Sequence, residues 1–289
     1  MLQGKGAVIG TIAALSLVLA AIVAISLGIV RFVKSDVRST PPQAHRAIYD
    51  LSLDRGKSVD DVLDIQGRMV VEWRGGPACE GYTSDQRVVT RSLDSSGQVS
   101  VSDVRLSSWE ALDGNEFRFD RIEYLDGKMA AHESGIAKRD DGKVTLREPE
   151  SAPLTLPEDV LFPSAFNMAL TAAMESGKTT FSHVLFDGTQ TTATNVTAFI
   201  GKPREASHDA QTVRIKNQGE GAQLKGAQAW PVRMSYFDQD DQVQDGTPSF
   251  EMGFRMFPNG VMSKLSLDYE DVVLRGDLAQ IEYFKPGGC

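Results

Sequence analysis

Reactive side chains are scarce in this 289-residue chain, which has two cysteines, Cys79 and Cys289, and four histidines, His45, His132, His183 and His208. The histidines are far apart and form no H-x-x-x-H or H-E-x-x-H arrangement. The spacing that brings several ligands to within about 2 Å of one zinc ion is therefore missing. The sequence predicts no metal and no cofactor. It also contains no G-x-S-x-G elbow, and its serines and threonines fall in strands and turns without a recognisable base. The acidic pairs Asp140-Asp141 and Asp240-Asp241 fall at loop tips, where solvated turn residues are the expected reading. Gly219-Glu220-Gly221 neither follows a strand nor opens a helix, which excludes a phosphate-binding loop there. No catalytic residue is assigned, and the chain is not expected to be an enzyme.

Basic residues are outnumbered as well: 30 Lys and Arg stand against 39 Asp and Glu, a formal charge of −9. Lys5, Arg31 and Lys34 precede position 35 and no acid does, so residues 35–289 alone carry −12. A domain of that charge repels nucleic acid, which is excluded as a partner.

What is present begins with an apolar run. Residues 7–30 are 24 consecutive residues without a charge. As a helix this run spans about 36 Å at ~1.5 Å per residue, enough for a hydrocarbon core of about 30 Å. A cleaved signal peptide and an uncleaved signal-anchor are the two readings of residues 1–34. Signal h-regions run about 7–15 residues and end at small residues. Here the best cleavage-like triplet, Ala24-Ile25-Ser26, is followed by further apolar residues, which favours the anchor. Lys5 alone precedes the run while Arg31, Lys34 and Arg38 follow it, and this count directs the remainder to the cytoplasm. Two cysteines suit an oxidising compartment instead. We give the cysteines more weight: the expected address is the periplasm, held to the inner membrane by the N-terminal helix, with a cleaved, soluble protein as the alternative. Ser39-Thr40-Pro41-Pro42 marks a linker over residues 35–43, and residues 44–289 form the remaining domain.

From Ala44 onward the hydrophobic period is two, the signature of strands with one buried face. Ala47, Tyr49, Leu51 and Leu53 share a face, as do Ile65, Gly67, Met69, Val71 and Trp73. The pattern returns at Trp230, Val232, Met234 and Tyr236, at Phe250, Met252, Phe254 and Met256, and at Val261, Leu265, Leu267 and Tyr269. Asp113-Gly114, Asp126-Gly127, Asp141-Gly142, Asp187-Gly188, Asp245-Gly246 and Asn259-Gly260 fall between such runs and predict type I′ hairpin turns. The fold class is therefore mainly β: an antiparallel meander of roughly a dozen or more strands, long enough that it must curl, split or close. One stretch breaks the period. Phe166, Ala169, Leu170 and Ala173 recur at helical spacing between Pro163, suited to a first turn, and Gly177, suited to the C′ position. This predicts one amphipathic helix that plugs or covers the curled sheet. Residues 202–228 are polar and Gly-rich and read as a loop with one possible strand over 211–215.

Cys79 lies just past the Gly75-Gly76-Pro77 turn, between two strand patterns, and Cys289 ends the chain. If they pair, the bond closes a loop of 210 residues, from 79 to 289. Trp73, Trp109, Trp230, Phe250, Phe254 and Phe257 either line a cavity at the mouth of the curled sheet or fill its core. His183, alternating with Phe181 and Leu185, reads as a wall residue.

Several segments, in order, carry a resemblance. HRAIYDLSL (45–53), GRMVVEW (67–73) and CEGYTSDQR (79–87) come first, followed by SSWEALDGNEFRF (107–119), WPVRMSYFD (230–238) and GVMSKLSLDYEDVVLRGDL (260–278). With the terminal cysteine, this series resembles the EipB family of cell-envelope integrity proteins of Gram-negative bacteria. The resemblance implies an open barrel, a β-spiral of many strands wound around a central helix, with a disulfide between Cys79 and Cys289. It further implies a periplasmic role in envelope integrity, and with no catalytic motif the expected role is that of a non-enzymatic binding or scaffold module for an envelope protein partner. The alternative is a carrier or sensor of lipid or lipoprotein that holds an apolar ligand inside the barrel. No ligand-binding residue is assigned by the sequence.

Overall fold

The computed structural model describes residues 42–58, 62–76, 78–190, 192–206, 214–216, 224, 227–238, 246–269 and 271–285. Among these lie sixteen strands and one helix. The first eight strands are β1 (His45–Leu53), β2 (Val62–Gly75), β3 (Gly81–Asp94), β4 (Val99–Ala111), β5 (Glu116–Leu125), β6 (Lys128–Lys138), β7 (Lys143–Glu148) and β8 (Leu154–Thr155). The helix α1 (Pro163–Glu175) follows, then β9 (Thr180–Leu185), β10 (Thr194–Ile200), β11 (Arg204–Glu205) and β12 (Arg214–Lys216). The chain ends with β13 (Gln228–Asp238), β14 (Phe250–Met256), β15 (Met262–Asp268) and β16 (Val273–Tyr283). The apolar run at residues 7–30, the linker up to residue 41, and Cys289 lie outside the described residues. Among the described residues no helix is long and apolar enough to cross a membrane.

The strands form one open sheet in the order β8-β7-β6-β5-β4-β3-β2-β1-β16-β15-β14-β13-β10-β9, with β11 added on β13 and β12 parallel to β16. Every other strand pair is antiparallel. The sheet curls until its two edges are bridged: beyond β8, the Leu161 N–H donates to Val184 O of β9 at 2.8 Å and the Phe186 N–H donates to Leu161 O at 3.0 Å. Leu156, Val160 and Phe162 of this crossing segment pack with Phe117 and Phe119 of β5 and with Val184 and Phe186 from the opposite edge. Apolar residues that alternate along strands far apart in sequence thus share one interior.

The predicted helix is present, and its ends explain its length. Pro163 occupies the first turn, where its missing N–H costs nothing. Gly177 takes φ 75°, and the Gly177 and Lys178 N–H groups donate to Met174 O and Ala173 O, each at 3.0 Å. That is the two-bond Schellman stop, at a position where a side chain would strain the backbone. Phe166, Leu170, Ala173 and Met174 are buried and pack against residues of β1, β10 and β13–β16.

The turns correct one expectation. Only Asp126-Gly127 has positive φ at both positions (50° and 77°), as type I′ requires. At Gly114, Gly142, Gly188 and Gly260 the glycine alone is left-handed, and the residue before it is not. Gly114, Gly142 and Gly260 each donate to the carbonyl three residues back. These are type I turns closed by a left-handed glycine, which suit the slightly longer loops found there. Asp245 lies outside the described residues. Within 202–228, β11 is a strand where a loop was expected, β12 overlaps the expected strand at 214–215, and Ala206 and Leu224 are buried in the core. Tyr269, read as an inward residue, is instead exposed beyond the end of β15 and packs on Phe250 at 4.8 Å.

Candidate ligand cavity at the head of the helix

The N-terminus of α1 has no cap of its own, because Phe162 stands at the N-cap position and offers no side-chain acceptor. The acceptor comes from 54 positions away. Glu110, on the inward face of β4 between Tyr82 of β3 and Phe117 of β5, accepts the Ser164 N–H at 2.6 Å and the Ala165 N–H at 2.9 Å. A carboxylate suits a helix N-terminus, where free N–H groups and the peptide dipoles favour negative charge. Glu110 is 2% exposed. Burial pushes its pKa up; the two N–H groups, the Ser164 hydroxyl and the charge of Arg139 pull back, leaving it above the ordinary carboxylate range.

Beside this clamp lies a cavity of about 150 Å³. Met69, Val71 and Trp73 of β2 line it, and so do Met252, Met256, Met262 and Leu265 of β14 and β15. Tyr82, Ser84 and Gln86 of β3, Ser108 and Glu110 of β4, and Ser164 and Asn167 of the helix also line it. The aromatic side chains are fixed by neighbours. Trp73 stacks on Tyr82 with ring centroids 5.2 Å apart, and the Tyr82 hydroxyl reaches Met168 Sδ at 3.8 Å. The Tyr49 hydroxyl donates to Met262 O at 2.9 Å, and burial raises its pKa. His45 donates its Nδ1–H to Gln43 O at 2.7 Å, and burial lowers its pKa, so the ring is neutral at pH 7. Methionine walls are adaptable and polarisable, and they accommodate ligands of irregular outline.

Both Glu110 oxygens are engaged with the helix, and the Ser108 hydroxyl donates to Ser84 O at 3.4 Å. The residues singled out in the sequence scatter. Of the six aromatics left between cavity and core by the sequence, Trp73 alone lines the cavity. Phe254 and Phe257 are core, Trp230 packs against that core, and Phe250 meets Tyr236 and Tyr269 in tilted ring contacts. Trp109 is carried on the other face of β4, with the Arg118 guanidinium 4.6 Å from its ring. His183 is exposed on β9 with its ring 5.1 Å from Phe181, and the described histidines do not gather. Among the described residues no group of three potential metal ligands occurs. Glu110 was missed. Its signal was an acid at an inward position, in step with Leu106 and Ser108, in a segment otherwise read only for its resemblance.

Of the two cysteines, Cys79 is half-buried in the turn after β2, where its N–H donates to Gly76 O at 2.9 Å. Its expected partner Cys289 lies outside the described residues.

Comparison with known proteins accords with this architecture. The chain is 35% identical over 264 residues to the cell envelope integrity protein EipB of Brucella abortus, covering 88% of this chain and 89% of that protein. It superposes on the crystal structure of a beta-barrel-like protein of a domain of unknown function from Brucella abortus with a TM-score of 0.77 at 32% identity, covering 85% of this chain and 99% of that one. The profile of the EipB-like family matches residues 38–285. The chain belongs to the EipB-like family.

Proposed function

We propose that this chain maintains the integrity of the cell envelope by binding and not by catalysis, from a periplasmic position held to the inner membrane through residues 7–30. Its relative in Brucella abortus is named for envelope integrity. The observation that carries a binding role is the cavity at the head of α1, apolar in most of its lining, with its one carboxylate already engaged. That same observation favours the carrier or sensor of an apolar ligand over the scaffold for a protein partner. A strain lacking the protein should become sensitive to detergent and to cell-wall antibiotics, and the wild-type gene should restore resistance. A gene carrying Val71→Phe, which fills the cavity from β2, should not restore it. Normal resistance in the deletion strain removes the envelope role; full rescue by Val71→Phe removes the ligand and leaves the scaffold.

A disulfide between Cys79 and Cys289 forms part of this proposal. What supports it is the register: Trp73 of β2, His45 of β1 and Tyr283 of β16 fall in one row. The chain therefore leaves β2 toward Cys79 and leaves β16 toward Cys289 at the same end of three adjacent strands. Arg74 lies over the Phe284 ring at 3.6 Å, and the Phe284 N–H donates to Ala44 O at 2.9 Å. Alkylation of the native protein without reductant should leave both thiols unmodified. Modification of both would remove the bridge.

A further inference from the structure

The cavity's polar groups are unequal in charge, and that inequality selects among ligands. Glu110 is the one acidic residue in its lining, and no lysine or arginine lines it. Arg139 acts on Glu110 through space but is not part of the wall. His45 and Tyr49 are both neutral groups there. An incoming carboxylate would thus lose its water, meet the Glu110 carboxyl group and find no lysine or arginine in the wall to pair with. An uncharged hydroxyl loses far less on entry and can donate to the acceptors the wall presents.

Size narrows the class further. A cavity of about 150 Å³ lined by apolar side chains holds a ligand as small as benzene. This one, of about 150 Å³, cannot enclose a two-chain lipid. We propose that it takes a neutral, hydroxyl-bearing aliphatic group of roughly the bulk that such a cavity holds, and that Glu110 excludes carboxylates. This rests on the apolar-ligand reading above and adds to it the charge of what is bound.

The test compares two probes of equal chain length, 1-octanol and octanoate, at pH 7.5. Each is titrated calorimetrically into the purified full chain held in an amphipathic polymer. The heat is read above that of Val71→Phe, which corrects for partition into the polymer, and the thermal melt of Val71→Phe establishes that it is folded. Octanol should bind with octanoate at least tenfold weaker, and Glu110→Gln should narrow that ratio to within threefold. If octanoate binds as tightly as octanol, and Val71→Phe abolishes both, the apolar-ligand reading stands and the charge selectivity is wrong. If neither probe gives heat above Val71→Phe, both fall together. The ratio measured on the wild-type chain needs no folded Glu110 variant.

Discussion

The helix α1 divides the interior into two unlike sides. On one side Phe166, Leu170, Ala173 and Met174 are buried in a single hydrocarbon cluster with Val196 and Ala198 of β10, Val232 of β13 and Ile281 of β16. Toward β3 and β4 the inward positions are Ser84, Gln86, Ser108 and Glu110, and there the cavity persists. Short hydroxyl side chains cannot reach a helix that longer apolar ones would grip. Dense packing holds the fold; the polar wall leaves a cavity.

The sharpest test of that contrast is Leu170→Ala. Leu170 is fully buried on the filled side, and its loss should cost about 3–4 kcal/mol in urea unfolding. Glu110→Ala should come next, at about 2 kcal/mol, because it strands two buried helix N–H groups. Met262→Ala on the cavity wall should cost less, about 1–2 kcal/mol, since that side chain already borders empty space. Equal losses for Leu170→Ala and Met262→Ala would erase the distinction between the sides. Arg68→Ala should be the smallest. Its guanidinium meets Asp50 at 2.7 and 3.0 Å on the outer surface, both side chains are more than half exposed, and the expected change is at most about 0.5 kcal/mol.

Glu110 adds a dependence on pH. Its pKa is raised in the folded protein, so the folded state keeps a proton through a window in which the unfolded chain has lost its own. That stabilisation is complete below the ordinary carboxylate range and is lost as pH rises through the raised value. Glu110→Gln cannot titrate, so the wild-type protein should lose stability relative to it across this window. Urea midpoints for the two proteins, measured in parallel from pH 4 to 7, give the difference; a constant difference would mean that Glu110 titrates normally.

The features legible in the sequence are those fixed by near neighbours. The alternation in β1 and β2 is a local property of each strand, and so are the ends of α1, with Pro163 in its first turn and Gly177 after it. The sheet order is not local. Nothing in β1 names β16 as its neighbour, and nothing in SSWEALDG shows that Glu110 will meet Ser164. The choice between core and cavity for the aromatic set stayed open in the sequence for a related reason. Period two assigns a residue to a face, but only the sheet's curl decides whether that face meets the helix, the cavity or solvent. Trp73 and Trp109 sit in equally regular strands and end on opposite faces. The Asp-Gly pairs likewise marked where turns occur but not their type, which depends on how many residues the flanking strands leave unpaired.

The central pairing of β1 with β16 sets the order in which the chain can fold. Strands β2 to β6 each pair with their sequence neighbours, so this meander can form from contacts that close short loops. His45 and Tyr283 are partners across 238 positions. Loop closure over such a distance is entropically costly and slows folding. The middle of the sheet is therefore its last part to be completed: until the C-terminal strand has been made, β1 has β2 on one side and an open edge on the other. A chain cut short before β16 would carry that unpaired edge permanently, at the position where a foreign strand adds most readily.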